Sequence, residues 1–376
     1  MRRLLPRLIV AVLVSAMTFP SSVAAAAPTI DATIVQSGLT NPWDLTFLPD
    51  GRMLVTERPG RIRVYASGTP GAALLRTAVL GLGVRAEGEA GLMGIAADSA
   101  FASNRYIYVC VSRQVGGDWL NQLVRYRLND DLDFIYAGVL IWGMRANTVH
   151  NGCAVKFTSG AKIWVSIGDG GVPSRAQDPA SLNGKILRIN RDGSIPGDNP
   201  VMPGAGKRTA VYSMGHRNPQ GLAFTAQGAL YAIEHGPDRD DEINRIQPGG
   251  NFGWPCYTGA AVRWAPYAGP CGPASAYDPP AWSSGSSTIA TSGGAFARSN
   301  AWGDWRNHLF VAQLKQADLR RFTSANLGST LIQRQVLFDQ ARGRIRGVVM
   351  GPDGDLYLTT SNGGGSDLVI RLRPTA

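Results

Sequence analysis

The segment GHRNPQGLAF at 215–224 is closely followed by EHGPDRDDEIN at 234–244, which brings a guanidinium, a side-chain amide and a dense acidic turn together in sequence. Arg217 offers a planar fork that matches paired oxygens, and Asn218 adds an amide donor beside it. The acidic turn carries hard oxygen ligands: the carboxylates of Asp240, Asp241 and Glu242 and the backbone carbonyls of Gly236 and Pro237. Such ligands suit calcium better than zinc or copper. These residues point to an anionic cofactor held beside a cation. Upstream, His150 opens HNGCAVKF, and the chain's other histidines are His216, His235 and His308. A neutral imidazole is the natural general base near neutral pH. Asp169 in SIGDGG either holds such an imidazole in one tautomer or simply begins an Asp-Gly turn.

These residues need a scaffold that brings distant segments together. A pattern of turn, β-rich run, turn and β-rich run recurs along the chain. It appears at 49–65, at 102–113 with 121–128, at 159–171 with 184–190, at 226–236 with 241–247, at 305–322 and at 352–372. The runs are short, rich in β-branched and aromatic residues and bounded by Gly, Asp or Asn, and nothing sustains a helical period. Six such units over roughly 350 residues allow about 58 each, enough for a four-stranded antiparallel blade, so an all-β six-bladed β-propeller is expected. A pair of β-sandwich domains is the rival arrangement. The Gly-, Pro- and Ser-rich stretch from about 256 to 300 reads as a long loop over one face of the ring.

Residues 1–27 read as a secretory leader: MRRLLPR, an apolar run from Leu8 to Met17, then SSVAAAA. The run is too short to span a bilayer as a mature helix. Residues 28–376 would form one catalytic domain, secreted or periplasmic. The formal net charge is +10, yet the lysines and arginines are scattered and no aromatic platform interleaves them, which argues against a nucleic-acid partner. The even cysteine count, at 110, 153, 256 and 271, suits an oxidising compartment. Cys256 with Cys271 would close a loop and leave Cys110 with Cys153, although spacing does not fix which of the three pairings forms.

The ordered series NPWDLTFLPDG, GDGG, NGKILRINRDGSIPGDNP, GHRNPQGLAF and GGNFGWP resembles the soluble quinoprotein aldose dehydrogenases. These form the glucose/sorbosone dehydrogenase family, which uses pyrroloquinoline quinone (PQQ). The resemblance implies PQQ- and calcium-dependent oxidation of aldoses at the anomeric carbon to lactones, with His150 as base and Arg217 and Asn218 at the cofactor. It further implies that the carbonyls of Gly236 and Pro237 bind the cofactor's calcium and that Glu242 is the best candidate for a second one. Lys315, Arg344 and Arg346 would pair with the cofactor's carboxylates, since an anion of that charge requires several cations. Glu89, in EGEAGLMG, stands where glucose-oxidising members carry glutamine. Cys153 and Ala154 replace a glycine and an arginine common in the family, and the pocket-shaping loops are short, so broad aldose specificity is expected. No haem-attachment CxxCH or dinucleotide fingerprint occurs, so electrons would leave to an external acceptor. A calcium-dependent propeller lactonase, or a cofactor-free propeller binding carbohydrate or protein, would share the fold without needing the cationic set.

Overall fold

The computed structural model describes residues 27–158 and 160–375. The leader expected at 1–27 therefore lies, apart from Ala27, outside the described residues. The expected β-rich runs become strands of six antiparallel four-stranded sheets. Blade 1 is Pro42–Phe47, Met53–Glu57, Arg61–Tyr65 and Leu74–Val79; blade 2 is Leu92–Ala97, Tyr106–Val115, Asp118–Leu128 and Phe134–Arg145. Blade 3 is Gly152–Thr158, Lys162–Ile167, Lys185–Asn190 and Val211–Met214; blade 4 is Pro219–Phe224, Leu230–Glu234, Glu242–Arg245 and Trp282–Ser283. Blade 5 is Thr291–Phe296, Leu309–Gln313, Leu319–Ala325 and Thr330–Leu337. Blade 6 takes Ile345–Met350, Leu356–Thr360 and Asp367–Thr375 from the C-terminus, and Thr29–Leu39 completes it as the outer strand.

That last pairing runs antiparallel, with Ile30 opposite Pro374 and Ile34 opposite Ile370, so the two ends of the ring are joined and no inner edge is left open. The first strand of each blade packs against the first strands of both neighbouring blades, which closes the ring around an axial channel. Cores form between blades rather than within them. Leu54, Ile62 and Val64 of blade 1 pack with Leu92, Ile107 and Val109 of blade 2. Because each blade is covered on both faces, its central strands are continuously buried, as in Met53–Glu57, whereas the rim strand Leu74–Val79 is mostly exposed.

The stretch expected as one long loop contains more. Tyr257–Thr258 and Val262–Arg263 form a small hairpin, Trp282–Ser283 is the outer strand of blade 4, and Thr291–Phe296 is the inner strand of blade 5. The glycines that suggested a loop serve close packing instead. A Cβ on Gly293 would lie 2.7 Å from the carbonyl oxygen of Arg346, and one on Gly294 would strike the Ile233 side chain. Both disulfides form as Cys110–Cys153 and Cys256–Cys271. The first ties blade 2 to the inner strand of blade 3.

Two features of the blades build the site. Every innermost strand has a register break where it begins: at Pro42/Leu45, Leu92/Ile95, Gly152/Val155, Pro219/Gly221, Thr291/Gly294 and Ile345/Gly347. Such bulges bend a strand and re-aim its side chains. In addition, the loop entering the first strand and the loop leaving the second lie at the same end of each antiparallel blade. One mouth of the channel therefore collects two loops from every blade.

Candidate active site

His150 and Glu89 come from the loops that enter the inner strands of blades 3 and 2. Arg217 and Asn218 enter that of blade 4, and Arg344 and Arg346 flank the start of that of blade 6. Asp169 and the turn carrying Gly236 and Pro237 follow the second strands of blades 3 and 4. The topology thus delivers these residues to the same mouth.

His150 adopts φ +56°, a left-handed conformation uncommon for a non-glycine residue. Its backbone is held on both sides: its N–H donates to Glu89 Oε2 at 2.9 Å, and its carbonyl accepts from Gly170 N at 3.1 Å. A Cβ on Gly168 would strike that same carbonyl, so glycine is needed there. The ring Nδ1 lies 2.7 Å from Asp169 Oδ1. An ionised carboxylate can only accept, so Nδ1 carries the proton and Nε2 keeps its lone pair. Asp169 is fully buried; Oδ1 also accepts from Gly171 N at 2.7 Å, and Oδ2 accepts from Trp254 Nε1 at 2.8 Å.

Glu89 Oε2 additionally accepts from Asn218 Nδ2 at 3.0 Å and Gln220 Nε2 at 3.3 Å. Gln220 Oε1 in turn accepts from Arg346 Nη1 at 2.8 Å. Burial opposes the charge on Glu89, but His235, His150, the Asn218 hydrogen bond and Arg346 hold its carboxyl below the ordinary range. Beside it opens a cavity of about 450 Å³, walled by Arg58, Glu89, Gln220, His235, Arg344 and Arg346 among others. Arg346 is almost fully buried, and burial draws its pKa down to about 10, which leaves it charged at neutral pH. Arg344 is exposed on the same wall.

Lys315 does not line this cavity. It is exposed beside Leu314, which does, and its Nζ donates to Thr288 Oγ1 at 3.1 Å. Arg58 and His235 belong to the cavity although the motifs did not single them out; each directly follows the second strand of its blade, the position that feeds this mouth, and His235 also adjoins Gly236. A second cavity of about 460 Å³ occupies the opposite mouth. Its cations are already engaged: Lys156 faces Asp44 at 3.6 Å, and Arg298 donates to the Phe224 carbonyl at 2.6 Å.

The turn after blade 4's second strand is wound tightly, and a Cβ on Gly236 would collide with the Arg239 carbonyl. Asp241 is spent on that winding. Its Oδ1 accepts from Gly236 N at 2.8 Å and its Oδ2 from the amides of Ile289 and Ala290. Glu242 is buried; desolvation and the neighbouring Glu234 push its carboxyl up to about 8. It accepts from Gly259 N at 2.6 Å and Asn244 Nδ2 at 3.0 Å, and it lines a small crevice with Gly236, Pro237, His235 and Arg217. Among the described residues no group of three or more His, Cys, Asp or Glu side chains is placed to hold a metal.

The residues fit an oxygen-rich anion. The Nε atoms of Arg58 and Arg217 and Nε2 of His235 are buried without a hydrogen-bond partner, three polar atoms in want of a ligand around one mouth. For a cation, neither the Gly236 nor the Pro237 carbonyl is taken up by a backbone hydrogen bond among the described residues, which suits hard-oxygen ligation.

A glucose/sorbosone dehydrogenase family model matches residues 39–371. The aldose sugar dehydrogenase YliI of Escherichia coli is 34% identical over 378 residues, covering 96% of this chain and 98% of that protein. Its apo crystal structure superposes with a TM-score of 0.81 at 31% identity, covering 92% of this chain and all of that one. The PQQ-bound aldose sugar dehydrogenase of Streptomyces coelicolor superposes with a TM-score of 0.75 at 30% identity, covering 93% of this chain and 100% of that one. The match runs through all six blades and through the mouth where His150, Arg217 and Arg346 converge, and so the chain belongs to the glucose/sorbosone dehydrogenase family.

Proposed function

We propose that this chain is a PQQ- and calcium-dependent aldose sugar dehydrogenase that oxidises the anomeric carbon to a lactone. The observation that carries the reading is the His150–Asp169 pair at 2.7 Å beside a cavity walled by Arg58, Arg344 and Arg346, where Nε of Arg58 and Nε2 of His235 are buried without a partner. Arg58, Arg344 and Arg346 would hold the cofactor's carboxylates, Arg217 and Asn218 would face its ring system, and the carbonyls of Gly236 and Pro237 would hold the calcium. Glu242, proposed as a calcium ligand, fits because a cation in that crevice would displace the proton that burial keeps on it. Lys315, exposed beside Leu314 of the cavity wall, would join the carboxylate set from the rim.

When bound, the quinone supplies a two-electron acceptor for hydride. The chain's own residues do the rest. His150 Nε2 takes the proton from the anomeric hydroxyl as hydride leaves C1, and Asp169 keeps the opposite nitrogen protonated and stabilises the imidazolium that results. The Arg217 guanidinium stabilises negative charge that develops on the acceptor side of the cavity. Glu89 fixes the His150 backbone and orients Asn218. The substrate is a small aldose, the electrons pass to an external acceptor, and export after removal of residues 1–27 is supported by the two disulfides.

Reconstituting purified apoprotein with PQQ and calcium, then measuring dye reduction across glucose, galactose, xylose and maltose, tests the reading. Activity should appear only with both additions and vanish with a chelator. Equal oxidation by apoprotein and reconstituted protein would overturn it.

A further inference from the structure

Trp254 holds both halves of the site. Its only polar side-chain atom, Nε1, donates to Asp169 Oδ2 at 2.8 Å, while the Arg217 guanidinium sits 5.3 Å from its ring centroid. The indole is nearly buried and fixed from behind: its ring lies 4.4 Å from that of Trp264, its backbone N–H donates to the Gly215 carbonyl at 3.1 Å, and its carbonyl accepts from Gln177 Nε2 at 2.7 Å. Gln177 also donates to Asn251 at 2.9 Å, so the GGNFGWP segment and the loop after Asp169 form one hydrogen-bonded unit. None of these contacts requires a bound ligand.

The carboxylate of Asp169 has two donors on Oδ1, the His150 ring and Gly171 N, and the indole on Oδ2. Without the indole, Oδ2 would be a buried charged oxygen short of a donor, and the carboxylate would be free to turn about its Cβ–Cγ bond. Its hold on His150 Nδ1–H would loosen. The tautomer with the proton on Nε2, which cannot accept from substrate, would then become populated.

We propose that Trp254 is a positioning residue: its N–H sets the Asp169 orientation that keeps His150 in the proton-accepting tautomer, and its ring face sets the Arg217 guanidinium at the anion cavity. The assignment rests on His150 being the base, and the test separates the two ideas because its first readout uses apoprotein. The ¹⁵N shifts of the His150 imidazole should report one tautomer, protonated at Nδ1, in wild type and a mixture in Trp254→Phe. Phenylalanine retains an aromatic face, so PQQ affinity measured by titration should stay within about threefold of wild type, whereas kcat falls about 10- to 100-fold, within the range a misoriented base costs. Trp254→Leu removes both functions and should weaken PQQ binding by about fivefold or more as well, in line with a partly buried cation–π contact. In an Asp169→Asn background, Trp254→Phe should cost less than threefold further, since the two act through one hydrogen bond.

A single Nδ1–H tautomer in Trp254→Phe, or a loss that multiplies fully with that of Asp169→Asn, would overturn the proposal. If Trp254→Phe does not fold, benzothienylalanine at 254 keeps the bicyclic shape and removes only the N–H. It must then give the mixed tautomer, and wild-type ¹⁵N shifts in that protein refute the role. Absence of sugar oxidation in wild type, with the tautomer shift still present, would instead count against His150 as base and leave the positioning intact.

Discussion

Replacing Asp169 with asparagine changes one atom in a fully buried group, and the consequences follow from which donors surround it. The carboxylate accepts from His150 Nδ1 and Gly171 N on one oxygen and from Trp254 Nε1 on the other. Asparagine offers one oxygen and one NH₂, so it cannot satisfy both sides. With its oxygen toward His150, the amide faces the indole N–H donor to donor. With its amide toward His150, Gly171 N–H loses its acceptor and the ring proton is driven to Nε2. Either arrangement strands a buried donor at about 1–3 kcal/mol, and the second also removes the base. A stability loss of about 1–3 kcal/mol is therefore expected by urea denaturation of the apoprotein. Turnover should fall by about 10²- to 10⁴-fold in the enzyme loaded with PQQ and calcium, the span attributed to a positioned base. PQQ affinity should change little, because the carboxylate does not line the arginine-walled cavity. Turnover within threefold of wild type, in a variant whose denaturation curve is unchanged, would refute the coupling of Asp169 to His150.

Lys185 is buried with its Nζ on the carbonyls of Arg175, Ala176 and Asn183 at 2.8, 3.0 and 2.8 Å, and burial draws its pKa down to about 7 from 10.5. Below pH 7 both states hold the proton; between pH 7 and 10.5 only the unfolded chain does, so stability should rise with pH across that window in wild type relative to Lys185→Met, as paired urea midpoints at pH 7 and 9.5 will report. Removing the Cys110–Cys153 bridge, which spans 43 residues, should cost about 4 kcal/mol and the Cys256–Cys271 bridge, spanning 15, about 3 kcal/mol on the chain-entropy model, so the first double-serine variant should melt lower. Arg346→Ala should weaken PQQ binding and lower the melting temperature, since a buried hydrogen-bonded side chain is lost, whereas Lys315→Ala should weaken binding without moving the melting temperature; equal thermal effects would contradict the burial difference.

Much of this architecture is legible in the sequence because each blade repeats the same hairpin of its two middle strands, and those strands are the β-branched and aromatic runs such as KIWVSI and KILRIN. The inner strands are harder to read. PQGLAF and TSGGAF carry glycines that make room for a neighbouring strand, so they resemble loops when viewed alone. The two-residue strand Trp282–Ser283 is too short for any periodicity. In the site, His150, Asp169, Arg217 and Asn218 stand out by residue type, and the structure brings them to one mouth. Arg58, His235 and Trp254 do not stand out: an arginine in a Pro-Gly turn and a tryptophan before a proline look like ordinary loop residues until the ring closes. Lys315 illustrates the opposite limit: its type suits the ligand, yet the structure places it at the exposed rim of the cavity and not in its wall.

The charges at this mouth explain why the fold arranges it so. Arg58, Arg217, Arg344 and Arg346 converge from blades 1, 4 and 6, and two of the nearby carboxylates, Glu89 and Asp169, are each already committed to orienting a neighbour. The cavity is left with surplus positive charge whose bearers are partly desolvated, so an anion entering it meets donors that need little further dehydration. Carboxylates that might have neutralised these arginines are turned instead toward backbone and side-chain N–H groups: Glu234 toward Arg217 N at 2.8 Å and His216 Nδ1 at 2.8 Å, Asp241 toward the turn at Gly236. In this way Glu234 fixes the Arg217 backbone and Asp241 the turn at Gly236, and neither forms an ion pair with the guanidinium among the described residues. The same separation sets His150, the proposed base, apart from Arg217, since Asp169 lies between the His150 ring and the indole that carries the guanidinium. The proposed proton acceptance and anion binding would thus fall to different loops of one mouth, joined through two side chains: Trp254 between Asp169 and Arg217, and Glu89 between His150 and the Gln220–Arg346 pair.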